Sequence, residues 1–407
     1  MQQNARSHHI HLFLLVFSIT LQSYSAETLA NLRQNQTVEA ETNEVKQTAK
    51  ALAEGDNHAS FEYLSQSNAF FIERLNSPQR VIDGQTLHPK MQYLLEKYTN
   101  PEQNKGYEKM LRSEQGRELF RQRTDINWPA RGKISKAMKS TQDKWIETPE
   151  GKLQIRIYTP LTEKDKPLPV LVYFHGGSYI FGSIDALDRA VRLIANEANV
   201  IVVSANYRLA PEYHFPAPVN DATYIYDWVV DNLSSFGGDA GRIAVGGDSA
   251  GAFLSLTISL KALENDKRVP DYQLLYYPHV DVIGTGKYDS EIIFKNGYGL
   301  DPWIVDTTME YMFPDGIPED NPFIDVLVHP QAKHFPPTYV GTAGFDILRD
   351  HGFALVNHLK QHNISVTHGH YPSLLHNYLE YSGVMDDAED AAMKSAHSLG
   401  QFFWDGR

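Results

Sequence analysis

The sequence predicts an α/β fold, a mainly parallel central sheet with helices on both faces. Two short runs, the wholly apolar residues 170–174 and the residues 200–205 with Ser204 as their one polar member, suit strands covered on both sides. Such runs alternate along the chain with stretches of helical period, and that order implies right-handed crossovers between parallel strands. The composition fits: of 407 residues, 42% are hydrophobic and 21% charged, which excludes a wholly disordered, collagenous or coiled-coil chain. The length allows two or three domains, or one large α/β domain with insertions.

Residues 1–26 read as a secretory signal peptide. Arg6, His8 and His9 precede the apolar run 10–21, and Ser23, Ser25 and Ala26 follow it, with cleavage expected after Ser25 or Ala26. The run is shorter than the roughly 20 apolar residues that cross a bilayer, and it contains His11, Ser18 and Thr20, so no stable membrane span is expected. The chain is therefore expected to be exported, periplasmic or secreted. Its lack of cysteine suits a bacterial periplasm and rules out disulfides, zinc–thiolate sites, iron–sulfur clusters and a thiol nucleophile. Residues 27–80 read as a polar N-terminal extension, either a solvated helix or a tether. Residues 81–144 read as an N-terminal helical cap region: Met91, Leu94, Leu95 and Tyr98 share a helical face, with breaks at Pro101, Gly106, Pro129 and Gly132.

Residues 145–407 carry the α/β pattern. Residues 153–158 alternate like a half-buried strand, and 170–174 form the first buried one. A helix at 185–198 leads to the strand 200–205. A loop with Pro211, Pro216 and Pro218 precedes a helix at 219–233, the strand 242–246 and a helical run at 253–263. The alternation resumes with strands at 272–277, 338–342 and 365–371 and helices at 352–361 and 387–403. The interval 279–337 is too long for a structureless loop, since these seldom exceed about 12 to 15 residues, and reads as a cap insertion.

The chemistry concentrates at strand ends. Gly247-Asp248-Ser249-Ala250-Gly251 is a G-x-S-x-G sequence between a strand and a helix. That context forces the serine onto a tight turn with its Oγ above the sheet and a helix N-terminus behind it. His175-Gly176-Gly177-Ser178 follows the buried strand 170–174, where small residues can aim backbone N–H groups at a developing oxyanion. Gly176, Gly177, Ser178 and Ala250 are thus the candidate oxyanion hole, and His175 reads as a residue that shapes this loop.

A serine hydroxyl needs a neutral imidazole as base, held in one tautomer by a carboxylate. On such a sheet the acid precedes the base, and both follow late strands. Asp346 lies after the strand 338–342 and His376 after the strand 365–371. The other histidines of this region fit worse: His368 and His370 lie within a strand, and His358 and His362 on a helix. Asp350 is a rival acid, although its place near a helix start suggests an N-cap. Asp248 reads as a hydrogen-bonding brace of the elbow.

Together with residues 170–182 (VLVYFHGGSYIFG), 206–221 (NYRLAPEYHFPAPVND) and 246–252 (GGDSAGA), these segments resemble the hormone-sensitive-lipase-like family of α/β-hydrolase carboxylesterases. The resemblance runs from about residue 87 to the C-terminus. It implies an α/β-hydrolase fold with a helical cap built from the N-terminal helices and part of the insertion. It also implies a catalytic triad of Ser249, Asp346 and His376, and it implies that residues 208–218 brace the sheet below the site. The third glycine expected in the oxyanion motif is Ser178 here.

The expected activity is hydrolysis of carboxylic esters, short- to medium-chain, through an acyl-enzyme on Ser249. The same groups could serve a lactonase or amidase, and a non-catalytic small-molecule receptor is the alternative from another class. No metal or cofactor is required, and the expected partner is a small ester. A net charge of -13 without a long basic run argues against nucleic acid. Oligomeric state is not legible.

Overall fold

The computed structural model describes residues 63–163, 167–281, 284–318 and 321–405. The signal peptide expected at 1–26 and most of the polar extension lie outside them. In chain order the elements are α1 (Asn68–Ile72), the two-residue strands β1 (Val81–Ile82) and β2 (Gln85–Thr86), α2 (Pro89–Tyr98), α3 (Pro101–Arg112), α4 (Glu114–Arg131), β3 (Met138–Thr148), β4 (Gly151–Pro160) and β5 (Leu168–Phe174). There follow α5 (Asp188–Ala198), β6 (Ile201–Asn206), α6 (Ala217–Asn232), β7 (Gly238–Asp248), α7 (Ala250–Glu264) and β8 (Tyr272–Tyr276). The chain continues with α8 (Asp289–Ile293), α9 (Pro302–Met312), β9 (Thr338–Phe345), α10 (Arg349–Gln361), β10 (Val366–Leu375) and α11 (Asp386–Trp404).

Eight strands form one sheet in the order β10-β9-β8-β7-β5-β6-β4-β3. From β6 to β10 every neighbouring pair is parallel, whereas β4 runs antiparallel to both β3 and β6. The expected mainly parallel sheet is present. Strand β5 shows why its sequence is unbroken apolar: every residue of it is buried. Because side chains alternate across a strand, Leu171 and Tyr173 join one core while Val170, Val172 and Phe174 join the other. The first core packs beneath α5 and α11, through residues such as Ile194, Ala392 and Leu399. The second packs beneath α6, α7 and α10, through Ile225, Leu254 and Leu355.

Two expected boundaries move. The helical region ends at Arg131, and β3 starts at Met138, so the expected division at 144/145 falls inside a strand. Strand β3 lies at the sheet edge with only Ile146 buried, and its polar sequence therefore carries no core-facing alternation. The packed chain also begins before residue 81. Leu64 and Phe71 are fully buried, Phe71 meets the Tyr93 ring edge-on at 5.3 Å, and Glu96 of α2 accepts hydrogen bonds from Asn76 N and Ser77 Oγ. The last residues of the expected extension are thus part of the folded domain, anchored by Leu64 and Phe71 with Tyr63 and Phe70 packed beside them. The interval 279–337 contains α8 and α9, and Ile304 of α9 packs with Leu111 of α3 and Ile180 beyond β5.

Candidate active site

Strand β7 enters the elbow at Asp248 and α7 leaves it at Ala250. Between them Ser249 has φ 52° and ψ -116°, a positive φ that a non-glycine residue seldom adopts. The turn is held from below: Ser249 N donates to Tyr276 O at 2.9 Å, and Ser249 O accepts from Ala252 N at 3.0 Å. The motif's last glycine is dictated by closeness. A Cβ on Gly251 would come within 1.9 Å of Phe174 O, so only glycine lets α7 start this near β5.

Strands β9 and β10 are parallel neighbours with Phe345 opposite Leu375 in register. The residues that follow, Asp346 and His376, therefore leave the sheet side by side. His376 Nδ1 lies 2.9 Å from Asp346 Oδ2, and His376 Nε2 lies 2.9 Å from Ser249 Oγ. With Nδ1–H donating to the carboxylate, Nε2 is left to accept from the serine hydroxyl. Asp346 is turned by Leu348 N, which donates to its other oxygen at 2.9 Å, and the His376 ring rests 4.6 Å from that of Tyr277. All three residues are buried.

Asp248, next to the serine, points away from this row. Its Oδ1 accepts from the Tyr173 hydroxyl at 2.9 Å, the elbow brace expected of it, and burial pushes its pKa up to about 6. The rival acid, Asp350, accepts from Ser290 N at 2.8 Å and pairs with Arg349. It does not cap α10 as expected, because its side chain is taken up by α8. His368 and His370 share the Thr342 hydroxyl at 2.9 Å each, away from the serine, and burial lowers the pKa of both. The His358 and His362 rings meet at a tilt, 4.5 Å apart, at the end of α10.

The loop after β5 carries three successive positive φ values: 116° at Gly177, 54° at Ser178 and 59° at Tyr179. Gly177 O accepts from Ile180 N and Phe181 N, and the N–H groups of Gly177 and Ser178 have no acceptor among the described residues. Both residues line a cavity of about 310 Å³ whose lining also includes Ser249 and His376. The loop is braced on every side. Tyr207 donates to His175 O, Ala210 N donates to Tyr179 O, and Arg121 of α4 donates to Ile180 O while its other arm holds Glu212. Arg208 forks Asp221, so the 207–221 stretch supports the site without entering it. The His175 imidazole is fully buried, its pKa lowered to about 4 by that burial, and Nδ1 donates to Gly176 O; it shapes the loop, as expected. A further support, Tyr179 to His279, was not foreseen, because His279 falls where the sequence shows only the start of an insertion.

The cavity roof comes from Leu94 and Leu95 of α2, Phe120 and Trp128 of α4, and Trp303 and Ile304 of α9. The N-terminal helices and the insertion thus jointly form a cap over the serine. Among the described residues no helix is long and apolar enough to cross a membrane.

The profile of the family described as the alpha/beta hydrolase fold matches residues 171–380. Carboxylesterase NlhH of Mycobacterium tuberculosis is 32% identical over 250 residues, spanning 61% of this chain and 77% of that protein. Ethyl acetate hydrolase of Pseudomonas putida is 29% identical over 257 residues, 61% of this chain and 78% of that protein. Among solved structures, the ester-hydrolase EH1AB1 from the metagenome of Lake Arreo superposes with a TM-score of 0.72 at 29% identity, covering 78% of this chain and 99% of its own. The chain is accordingly a carboxylic ester hydrolase and belongs to the hormone-sensitive-lipase-like carboxylesterases of the α/β-hydrolase fold.

Proposed function

We propose that Ser249 is the nucleophile, His376 the general base and acid, and Asp346 the group that orients His376, with Gly177, Ser178 and Ala250 as oxyanion donors and Gly176 shaping their loop. The reading rests on the unbroken row Asp346 Oδ2 to His376 to Ser249 Oγ, each step 2.9 Å. Ser249 Oγ attacks the ester carbonyl carbon as His376 Nε2 takes its proton. The carbonyl oxygen becomes an anion facing the loop N–H groups, which stabilise it in a water-poor site. Collapse breaks the bond to the alcohol oxygen, which leaves with the proton from His376. Water then attacks the acyl-enzyme by the same steps and releases the acid. Asp346 keeps the imidazole in the required tautomer and favours the imidazolium as it forms.

A cavity of about 310 Å³ lies at the small end of ligand pockets and favours short- to medium-chain esters. The Pseudomonas putida relative is named for ethyl acetate, in keeping with that size. The decisive experiment is a p-nitrophenyl ester series from C2 to C16 on the wild type and Ser249→Ala, with mass spectrometry after organophosphonate treatment. Turnover peaking at C8 or below, label on Ser249 and loss of activity in the variant are expected. Undiminished hydrolysis by Ser249→Ala would sink the assignment.

Export through residues 1–26 is part of this reading, on the charged, apolar and small-residue regions of that segment. Fractionation of the native host, with N-terminal sequencing of the protein, tests it; a cytoplasmic protein with an intact N-terminus would refute it.

A further inference from the structure

One wall of the catalytic cavity is built unlike a slot for hydrocarbon. Helix α4 turns Arg123, Asn127 and Arg131 onto a single face at intervals of four residues, and all three line the cavity with Thr124 between them. Glu380, on the turn after His376, lines it too. Arg131 donates to Glu380 Oε2 at 3.0 Å and to the Tyr381 hydroxyl at 2.6 Å. Glu380 is 3% exposed, and its other oxygen, Oε1, has no hydrogen-bond partner. Asn127 is 9% exposed; its Oδ1 is buried and also unpartnered. Buried polar atoms are nearly always bonded, because leaving one unpaired forfeits its hydration. Both oxygens are closed off from solvent, so two such atoms in residues of one cavity wall, beside a serine positioned for acyl transfer, point to a substrate group towards which the Asn127 carboxamide and the Glu380 carboxyl turn to be paired.

We propose that this wall is a subsite for a neutral hydrogen-bonding group, a hydroxyl or amide, carried by the ester several atoms from the scissile carbonyl. The inference rests on Ser249 as nucleophile and adds the chemistry of the substrate. The mixed signs of the wall set the charge. A carboxylate brought to Arg131 would meet Glu380, and an ammonium brought to Glu380 would meet Arg131 and Arg123. A hydroxyl both donates and accepts, so it can serve Glu380 and the Asn127 carboxamide together without adding charge. A plain alkyl chain in the same place would keep those groups dry and unpaired, and a site built for hydrogen bonding discriminates against such a chain.

The test uses pairs of esters in which a hydroxyl replaces a terminal methyl. On the acyl side these are p-nitrophenyl 6-hydroxyhexanoate and p-nitrophenyl heptanoate; on the alcohol side, 3-hydroxypropyl acetate and butyl acetate. In the wild type, kcat/KM for the hydroxylated member of one pair should exceed that of its twin about tenfold, and the responding pair tells which end of the ester reaches α4. In Asn127→Leu the ratio should fall to about one or below; Asn127→Ala replaces it if the leucine variant does not fold, and phosphonate titration of Ser249 counts intact sites. Glu380→Gln, whose oxygen stays with Arg131 and whose amide N–H can donate to the same hydroxyl, should retain most of the preference. Alkyl twins that react as well in both pairs, a ratio untouched in Asn127→Leu, or a stronger preference for a carboxylate-bearing acyl group would each overturn the subsite. All three would leave the Ser249 mechanism standing, whereas hydrolysis of every ester by Ser249→Ala would overturn the mechanism itself.

Discussion

The Tyr179 hydroxyl lies 2.8 Å from His279 Nε2, which ties the loop after β5 to the chain leaving β8. His279 Nδ1 faces Asp281 O at 3.4 Å, so Nε2 is the acceptor and Tyr179 the donor. The imidazole also stacks on Phe253 of α7 at 4.5 Å. Burial lowers the His279 pKa to about 3, with help from nearby His351, so the ring stays neutral and the bond holds throughout the working range. Because Tyr179 adjoins Ser178 and shares its left-handed backbone, the pair fixes the direction in which the Ser178 N–H points. Tyr179→Phe should lower kcat about tenfold with little change in KM, since a misaimed donor weakens transition-state binding alone. Steady-state kinetics with a p-nitrophenyl ester, normalised by phosphonate titration, checks it; an unaltered kcat would show that the loop holds without this bond.

Asp346→Asn should fold normally and lose about 10³ to 10⁴ in kcat. The amide can accept from Leu348 N through its oxygen, yet it favours the wrong imidazole tautomer and offers no charge to the imidazolium. Asp350→Asn, which contacts α8 and Arg349 instead of His376, should remain within about threefold of wild type in kcat/KM. Reversal of the two effects would mean that the acid has been assigned to the wrong residue.

Asp248 predicts a pH-dependent stability. Burial holds its folded pKa near 6, above the unfolded value of about 4, so the folded protein binds this proton more tightly. The linked stabilisation is complete below about pH 4 and is lost as pH rises through about 6, amounting to roughly 3 kcal/mol. Asp248→Asn keeps an acceptor for Tyr173 and removes the buried charge. The Tm of the variant minus that of the wild type should therefore climb between pH 4 and pH 7. A flat difference would contradict the buried-carboxylate account.

Gly251→Ala should destabilise the protein by about 1–3 kcal/mol and reduce activity, because the new methyl would sit 1.9 Å from Phe174 O and push α7 off β5. Chemical denaturation measures the loss. A variant as stable as the wild type would mean that the elbow relaxes without cost.

Phe71→Ala should cost about 3–5 kcal/mol, the usual penalty for emptying a buried aromatic site. That result would show that the chain before residue 81 belongs to the hydrolase core. A loss below about 1 kcal/mol would restore it to the status of a tether.

The buried strands were legible because both faces of β5 and β6 meet apolar layers, which leaves an unbroken apolar run in β5 and one interrupted by Ser204 in β6. The elbow and the places of Asp346 and His376 were legible because each follows directly from where a strand ends. Edge strand β3 was not, since a strand with one neighbour and wet faces carries no hydrophobic pattern. Nor were Leu64 and Phe71, which lie in short apolar clusters (63–64 and 69–72) within an otherwise polar segment and whose partners on α2 lie across a turn of the chain.

By itself the sequence determined the sheet, the serine turn and the strand ends after which Ser249, Asp346 and His376 stand, because strand ends are local features and the register of parallel neighbours converts them into adjacency. Only the tertiary structure decided what surrounds the reacting carbonyl. The polar face of α4, the Glu380 carboxylate beside it and the His279 prop under Tyr179 are brought together from segments a hundred or more residues apart, and such meetings depend on how helices pack across a sheet, a property no local pattern encodes.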